Sequence, residues 1–170
     1  TRLYRIEIDK AASSVFLNIT SSASGNFNLF GFANDGLDSD LEVGGTNDNA
    51  FGLITGGVSL GTNVEVSPLN GSGGNYTVSS LATLQLDGGT IRKVAGPALV
   101  PYGTFILNSG LAELLVQSGI TLRDAGRIEV NGGDLYANAI RTSIQATGDA
   151  GSYIQTGGDV ILNGGTGQGF

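Results

Sequence analysis

Hydrophobic residues recur at every second position over much of this chain. The clearest examples are residues 2–9 and the pairs Leu84/Leu86, Ile120/Leu122, Ile128/Val130 and Val160/Leu162. A period of two places successive side chains on opposite faces of a β-strand, so that one face is buried and the other is polar. The pattern therefore predicts an all-β protein made of short strands.

Short phrases with paired glycines separate these strands. Each has a polar residue, two glycines and a second polar residue, and they lie at 86–91, 130–135, 155–160 and 162–167, with a looser relative at 108–111. A hydrophobic residue follows in the first three, and the last has glycine in that position. The intervals between successive phrases, counted through Gly88, Ser109, Gly132 and Gly157, are 21, 23 and 25 residues. Glycine adopts positive φ without a steric penalty, so we predict that these phrases form corners between strands.

Two architectures account for short strands with glycine corners. In the first, a β-solenoid resembling a parallel β-helix, each repeat is one coil and the inward side chains form continuous columns. In the second, a jelly roll or β-sandwich, Asp87-Gly88 and Asn131-Gly132 are tight turns between antiparallel neighbours. The regular spacing favours the solenoid because it lies in the range of solenoid repeats. The sandwich remains the alternative.

Residues 1–75 differ in character from the rest of the chain. An apolar cluster marks this part, formed by Phe27, Leu29, Phe30 and Phe32. Aromatic clusters of this kind fill the space between two sheets. We therefore predict a sandwich-like part at 1–75 that includes an acidic loop, followed by a glycine-cornered β-repeat part at 76–170. One continuous domain is the alternative.

Residues 110–119 have two interpretations. Leu111, Leu114 and Leu115 have the i, i+3, i+4 spacing of a helical face, and a glycine lies at each end of the segment. The segment is short for a helix, and a strand keeps it in phase with the repeats. We predict the strand, with a helical turn as the alternative.

The composition argues against several classes of function. With 8 basic and 15 acidic residues the net charge is −7, whereas nucleic acids and anionic membrane surfaces attract basic proteins. The chain has no His and no Cys, so the commonest catalytic bases, nucleophiles and transition-metal ligands are missing. We therefore predict a protein that is not an enzyme, does not bind nucleic acid and does not insert into membranes.

The acidic loop at 34–50 contains a candidate metal site. Its carboxylates are Asp35, Asp38, Asp40 and Glu42. Calcium binds several oxygen ligands, and carboxylates at alternate positions of an extended loop converge well on one ion. We predict calcium as the cofactor of this loop. The alternative is a solvated acidic turn, because the residue order of an EF-hand is absent.

Two further polar groups have structural as well as functional interpretations. The first stands at the corners and comprises Asp87, Asn131, Asp134 and Asp159. We predict that Asx side chains there close turns and form a ladder, because the calcium-binding nonapeptide pattern does not fit their spacing. The second group comprises Arg123, Asp124 and Arg127. Polysaccharide lyases with a β-helical fold use an arginine base, but a surface ion pair is the interpretation that we favour here.

The sequence of residues 119–165 resembles that of a known family. GITLRDAGRIEV at 119–130 and IQATGDAGSYIQTGGDVILNGG at 144–165 are similar to the β-helical repeats of filamentous-haemagglutinin-like secreted adhesins. Those repeats place G-x-A-G and polar-Gly-Gly phrases between short strands. The resemblance implies a β-helical fold and an adhesive role outside the cell. More faintly, LYRIEID at 3–9 and DGLDSDLEV at 35–43 resemble β-sandwich modules of secreted peptidases.

These observations favour a non-enzymatic structural or adhesive protein of a cell surface or an extracellular filament. Its predicted partners are further copies of the chain, bound through β-strand edges, and surface glycans; strand Arg2–Asp9 is a candidate donor. One alternative is a virion decoration or fibre protein, which fits Thr1 if an initiator methionine has been removed. Another is a carbohydrate-binding module or lyase, although Trp is absent and five tyrosines are the main stacking residues.

Overall fold

The computed structural model describes residues 6–12, 14–22, 27–30, 51–67, 75–92, 98–116, 119–142 and 150–164. These residues form strands and turns and no helix. The strands are β1 (Ile6–Asp9), β2 (Phe16–Ile19), β3 (Phe27–Phe30), β4 (Phe51–Gly61), β5 (Val64–Ser67), β6 (Tyr76–Arg92), β7 (Leu99–Pro101), β8 (Thr104–Leu114), β9 (Ile120–Leu122), β10 (Arg127–Val130), β11 (Asp134–Ala137), β12 (Ile140–Thr142), β13 (Ser152–Gln155) and β14 (Asp159–Leu162).

Every pairing between these strands is parallel, and the strands stack in three faces. The first face stacks β1, the start of β4, the start of β6, β7, β9 and β12. The second stacks β2, the rest of β4, the middle of β6, the start of β8, β10 and β13. The third stacks β3, β5, the end of β6, the end of β8, β11 and β14. The protein is a β-solenoid, as predicted.

The sandwich alternative is wrong for the described strands, including those of the N-terminal part. A jelly roll or sandwich needs antiparallel neighbours, whereas β1 and β2 both pair in parallel with β4, and β3 pairs in parallel with β5. The sequence prediction failed here because a period of two reports which face of a strand is buried and not the direction of its neighbour. The division near residue 75 stays a prediction, since residues 68–74 lie outside the described ranges.

The predicted repeat intervals are confirmed by the strand register. Thr90 pairs with Leu111, Leu111 pairs with Asp134, and Asp134 pairs with Asp159. These steps are the 21, 23 and 25 residues counted between the glycine phrases. The phrases at 86–91, 108–111, 130–135 and 155–160 therefore stack above one another, as a corner of successive coils must.

Inward side chains form continuous apolar columns. One runs through the second face and comprises Leu17, Val58, Leu84, Phe105, Ile128 and Tyr153. The four inner members are fully buried, namely Val58, Leu84, Phe105 and Ile128. At the ends of the column, Leu17 is partly buried and Tyr153 is exposed. The core is therefore a line of layers along the solenoid axis rather than a central cluster.

Small residues form a second corner column that sequence reasoning missed. It lies between the first and second faces and comprises Gly56, Ala82, Gly103, Gly126 and Gly151. A Cβ on Gly103 would overlap the carbonyl oxygens of Ser79 and Ala82, and one on Gly126 would overlap that of Pro101. The coils are this close because the chain turns sharply there. The sequence pattern that marks this corner is a glycine two residues before an inward hydrophobic side chain, as in Gly103 before Phe105 and Gly126 before Ile128.

The strand interpretation of residues 110–119 is confirmed as far as the described segment allows. β8 continues through Leu114, and Ala112 and Leu114 face the core while Glu113 faces outward. The helical-turn alternative is therefore wrong for residues 110–114.

No helix in the described parts of the chain is long and apolar enough to cross a lipid bilayer.

Candidate functional site

A ladder of polar side chains runs along the corner between the second and third faces. Asn108 Nδ2 donates to Asp87 Oδ1 at 2.8 Å, and Asn131 Nδ2 donates to Asn108 Oδ1 at 3.0 Å. Thr156 Oγ1 donates to Asn131 Oδ1 at 2.7 Å. Each of these residues immediately follows a second-face segment, so the parallel register brings them into one row. We call Asp87, Asn108, Asn131 and Thr156 the corner ladder.

Asp87 ends this ladder as an acceptor. Ser59 Oγ and Gln85 Nε2 both donate to Asp87 Oδ2, the latter at 2.5 Å. The next position down the corner is Gly61, which has no side chain to continue the row. Burial by itself raises the pKa of Asp87, but the hydrogen bonds from Ser59, Asn108 and Gln85 outweigh it, so the pKa lies below its ordinary value. The carboxylate form is therefore the one that the fold stabilises.

The corner ladder has a direction. Thr156, Asn131 and Asn108 each donate toward the next lower coil, and the series ends on the anion of Asp87. Hydrogen bonds to an ionised acceptor are stronger than neutral ones, so Asp87 fixes the orientation of the amides above it. The predicted Asx ladder is thus confirmed for Asp87 and Asn131. Asp134 and Asp159 lie instead on the following strands, opposite each other in register.

Sequence reasoning missed half of the ladder. Asn108 and Thr156 were not among the candidates, although both occupy the same place in their phrases as Asp87 and Asn131. Aligning the phrases position by position is the signal that finds them. Ser59 carries no comparable signal, because it lies outside the phrases and 28 residues before Asp87.

The charged side chains form ion pairs across and along the coils. Arg92 pairs with two glutamates on neighbouring coils. The distance from its Nη1 to Glu65 Oε1 is 3.0 Å, and the distance from its Nε to Glu113 Oε2 is 2.6 Å. Arg127 pairs with Glu129 on its own strand. The side chains of these pairs are partly exposed at the surface, where an ion pair contributes little to stability.

The residues considered for lyase chemistry occupy a turn and a strand. Asp124 has a positive φ of 49° in the turn between β9 and β10, and Ala150 N donates to its carbonyl oxygen at 2.7 Å. Arg127 forms an ion pair, as we favoured. Its partner is Glu129, which was not in the group of residues considered from the sequence. In the described segments no three His, Cys, Asp or Glu side chains come together as a metal-binding group. The predicted calcium ligands Asp35, Asp38, Asp40 and Glu42 lie outside those segments.

The two ends of the solenoid are the second notable feature. Among the described strands, β2 pairs only with β4, β13 only with β10 and β14 only with β11. Interior side chains are only partly buried there, namely Leu17, Ile19, Ile140, Val160 and Leu162. The exposed large hydrophobic side chains of the described residues are Val15, Phe16, Ile54, Leu81, Tyr153 and Ile161, and none lies in β7–β12. Four of these six side chains lie in the first or the last described coil, whereas Ile54 and Leu81 lie in β4 and β6.

Backbone groups at both ends are directed away from the solenoid. Ser152 N donates to Gly126 O just before β10, and Thr156 N donates to Val130 O at its end, so strand alternation directs the N–H and C=O groups of Tyr153 and Gln155 outward. At the other end, Val15 O accepts from Gly57 N, so the same alternation directs the N–H and C=O groups of Phe16 and Asn18 outward. Each end therefore offers both donors and acceptors.

The strand predicted as a donor to a neighbouring copy is already paired. Ile6–Asp9 form β1, which lies in register with β4 of its own chain. Donation of this strand to another copy therefore requires that these bonds break. The free edge of β1, rather than its release, is what the observed fold offers.

Tyr76 is a buried polar group that the sequence did not reveal. Its side chain is 1% exposed, and its hydroxyl has no hydrogen-bond partner among the described residues. Burial raises the pKa of Tyr76 well above its ordinary value, because the tyrosinate anion loses its hydration.

Comparison of the chain with protein-family models, with curated proteins and with solved structures gave no match.

Proposed function

We propose that the chain is a non-enzymatic structural or adhesive protein of a cell surface or an extracellular filament, which assembles end to end through its strand edges. The observation that carries the proposal is the pair of ends described above. Both ends present outward N–H and carbonyl groups, and both leave interior side chains partly uncovered. Exposed strand edges are templates for pairing with another chain.

The geometry of such assembly follows from the fold. The N–H groups of Tyr153 and Gln155 in one copy donate to the carbonyls of Phe16 and Asn18 in the next, and the N–H of Asn18 donates to the carbonyl of Tyr153. These bonds continue the parallel stacking of the second face. This contact joins two different surfaces, so it is heterologous and does not close on itself. Its natural product is a filament whose axis is the solenoid axis.

The sides of the solenoid favour growth along the axis over lateral clustering. The corner ladder satisfies its own hydrogen bonds, and the ion pairs of Arg92 and Arg127 cover the outer faces. The net charge of −7 makes copies repel each other side by side. The resemblance of residues 119–165 to secreted adhesin repeats supports the location outside the cell.

The test replaces Gln155 at the C-terminal edge. Gln155→Pro removes an N–H that points outward and leaves the bonds to β10 in place, whereas Gln155→Ala removes the side chain and keeps the N–H. We expect sedimentation velocity and electron microscopy to show filaments for the wild type and for Gln155→Ala, and no filaments for Gln155→Pro. Equal assembly of the two variants contradicts the proposed interface, and a wild type that stays monomeric at all concentrations contradicts the proposed function.

A mixing experiment checks that the contact joins opposite ends. Asn18→Pro places the same block at the N-terminal edge, with Asn18→Ala as its control. Each proline variant alone keeps one functional end, so neither polymerises. Their mixture should give dimers, formed by the intact C-terminal end of Asn18→Pro and the intact N-terminal end of Gln155→Pro. Dimers in either variant alone would instead indicate an interface between like ends.

A further inference from the structure

The chain contains two copies of the same chemically labile tripeptide in different surroundings. Asn131-Gly132-Gly133 forms the corner after β10, and Asn163-Gly164-Gly165 begins directly after β14. Asparagine followed by glycine is the sequence most prone to spontaneous deamidation, because glycine has no side chain to obstruct attack by its own nitrogen. The local sequences are alike, so any difference in rate between the two sites reports the folded structure.

Asn131 is held at every group that the reaction uses. Its Nδ2 donates to Asn108 and its Oδ1 accepts from Thr156, so the side chain is fixed along the corner ladder. The attacking nitrogen would be that of Gly132, which donates to Leu107 O at 3.2 Å, and Asn131 N donates to the same oxygen at 2.8 Å. The side-chain carbon cannot approach this nitrogen unless the corner opens.

Among the described residues, Asn163 has only one of these restraints. Its backbone N–H donates to Ala137 O at 2.9 Å, as strand pairing requires. Its side chain is exposed, and Gly164 is exposed with no atom within 4 Å of the position that a Cβ would occupy. Residues 163 and 164 follow the last described strand, so no coil among the described residues lies above them.

We propose that Asn163 is a site of spontaneous deamidation in the folded protein and that the corner ladder protects Asn131 from the same reaction. The Gly164 nitrogen loses its proton and forms a bond to Asn163 Cγ, while the Cγ–Nδ2 bond breaks and ammonia leaves. Water then opens the cyclic imide at either carbonyl and yields isoaspartate or aspartate. The product carries one additional negative charge at the C-terminal end of the solenoid, beside edge strand β14.

The experiment follows both sites in one sample. The folded protein is incubated in mildly alkaline buffer, digested with trypsin and analysed by mass spectrometry for the mass increase that accompanies replacement of NH₂ by OH. Cleavage after Arg127 and Arg141 places Asn131 and Asn163 on different peptides. We expect Asn131 to react about tenfold more slowly than Asn163 or slower still, the factor given by a local opening free energy of about 1.4 kcal/mol.

Two variants and one denatured control separate the causes. Incubation in urea should bring the two rates together, because the intrinsic reactivities are alike. Thr156→Val removes the hydroxyl that binds Asn131 and should accelerate reaction at Asn131 while leaving Asn163 unchanged. Gly164→Ala should slow reaction at Asn163, since a methyl group obstructs the nitrogen and meets no other atom in the fold. The proposal is overturned if Asn163 is as slow as Asn131 in the folded protein, or if Asn131 reacts equally fast with and without the fold.

Discussion

Leu84 and Leu17 face the same interior column of the solenoid, yet their surroundings differ. Leu84 lies between Val58 below and Phe105 above and is fully buried, whereas Leu17 begins the column and is partly exposed. The same contrast holds for polar groups: Asn131 is hydrogen-bonded from both sides of its coil, and Asn163 at the end is exposed. In a stack, a residue is stabilised by the coils on both sides of its own, so middle and end coils with similar sequences have different stabilities.

The largest effect is expected where a middle coil turns a corner. Gly110 has a φ of 99°, and a Cβ there would overlap the carbonyl oxygen of Gly89. Gly110→Ala combines an unfavourable backbone conformation with a steric clash, and we expect a loss of about 4 kcal/mol in the free energy of unfolding. Gly164→Ala, at the end, should change it by less than about 0.5 kcal/mol. Urea denaturation of both variants measures the difference, and similar losses would contradict the contrast between middle and end coils.

The second effect compares the two leucines of one column. Leu84→Ala leaves a cavity between two buried neighbours, so we expect a loss of about 3 kcal/mol in the free energy of unfolding. Leu17→Ala should cost about 1 kcal/mol, because its side chain is only partly removed from water. Both are read from urea denaturation at constant protein concentration. Equal costs would show that the first coil is as well covered as the third.

A third prediction concerns the buried hydroxyl of Tyr76. Tyr76→Phe removes a polar group that has no partner among the described residues, so we expect the protein to become about 1 kcal/mol more stable. Burial raises the pKa of Tyr76 in the folded state, so its contribution is constant below the unfolded pKa of about 10 and declines as the pH rises above it. Stability measured across this range should fall less steeply in Tyr76→Phe. A loss of stability in the variant would indicate that the hydroxyl has a partner.

The corner ladder should give a smaller effect that again depends on position. Asn108→Ala interrupts the ladder at its middle, and we expect a loss of about 1 kcal/mol in the free energy of unfolding. Asn163→Ala, the matched asparagine at the end, should leave stability nearly unchanged. Thermal unfolding of both variants provides the comparison. A neutral Asn108→Ala would mean that water replaces the ladder hydrogen bonds without loss.

The smallest effect is expected at acid pH. The pKa of Asp87 is lowered in the folded state, so its stabilising contribution is complete above the ordinary aspartate pKa of about 4 and is lost as the pH falls through the folded value. Asp87→Asn should therefore be slightly less stable than the wild type at neutral pH and should lose less stability on acidification. The two unfolding curves should converge in acid, and a constant difference at all pH values would contradict the role of the carboxylate.

The sequence alone determined the strands, the corners with paired glycines and the spacing of the coils. A period of two follows directly from the geometry of a strand, and the intervals through Gly88, Ser109, Gly132 and Gly157 were sufficient to predict the register. It also predicted that Asx side chains at the corners would bind one another. These features depend on residues that are near in sequence or that recur at a fixed interval.

Only the tertiary structure decided which direction the neighbouring strands take and which polar residues meet. The alternation of residues 2–9 fits a parallel strand as well as an antiparallel one, so the sandwich prediction for the N-terminal part was consistent with the sequence and wrong for the fold. Ser59 reaches Asp87 because β4 and β6 stack in register, although nothing near Ser59 marks it. The degree of burial of Leu17 and Leu84 likewise depends on how many coils lie on each side, which is a property of the stack and not of the local sequence.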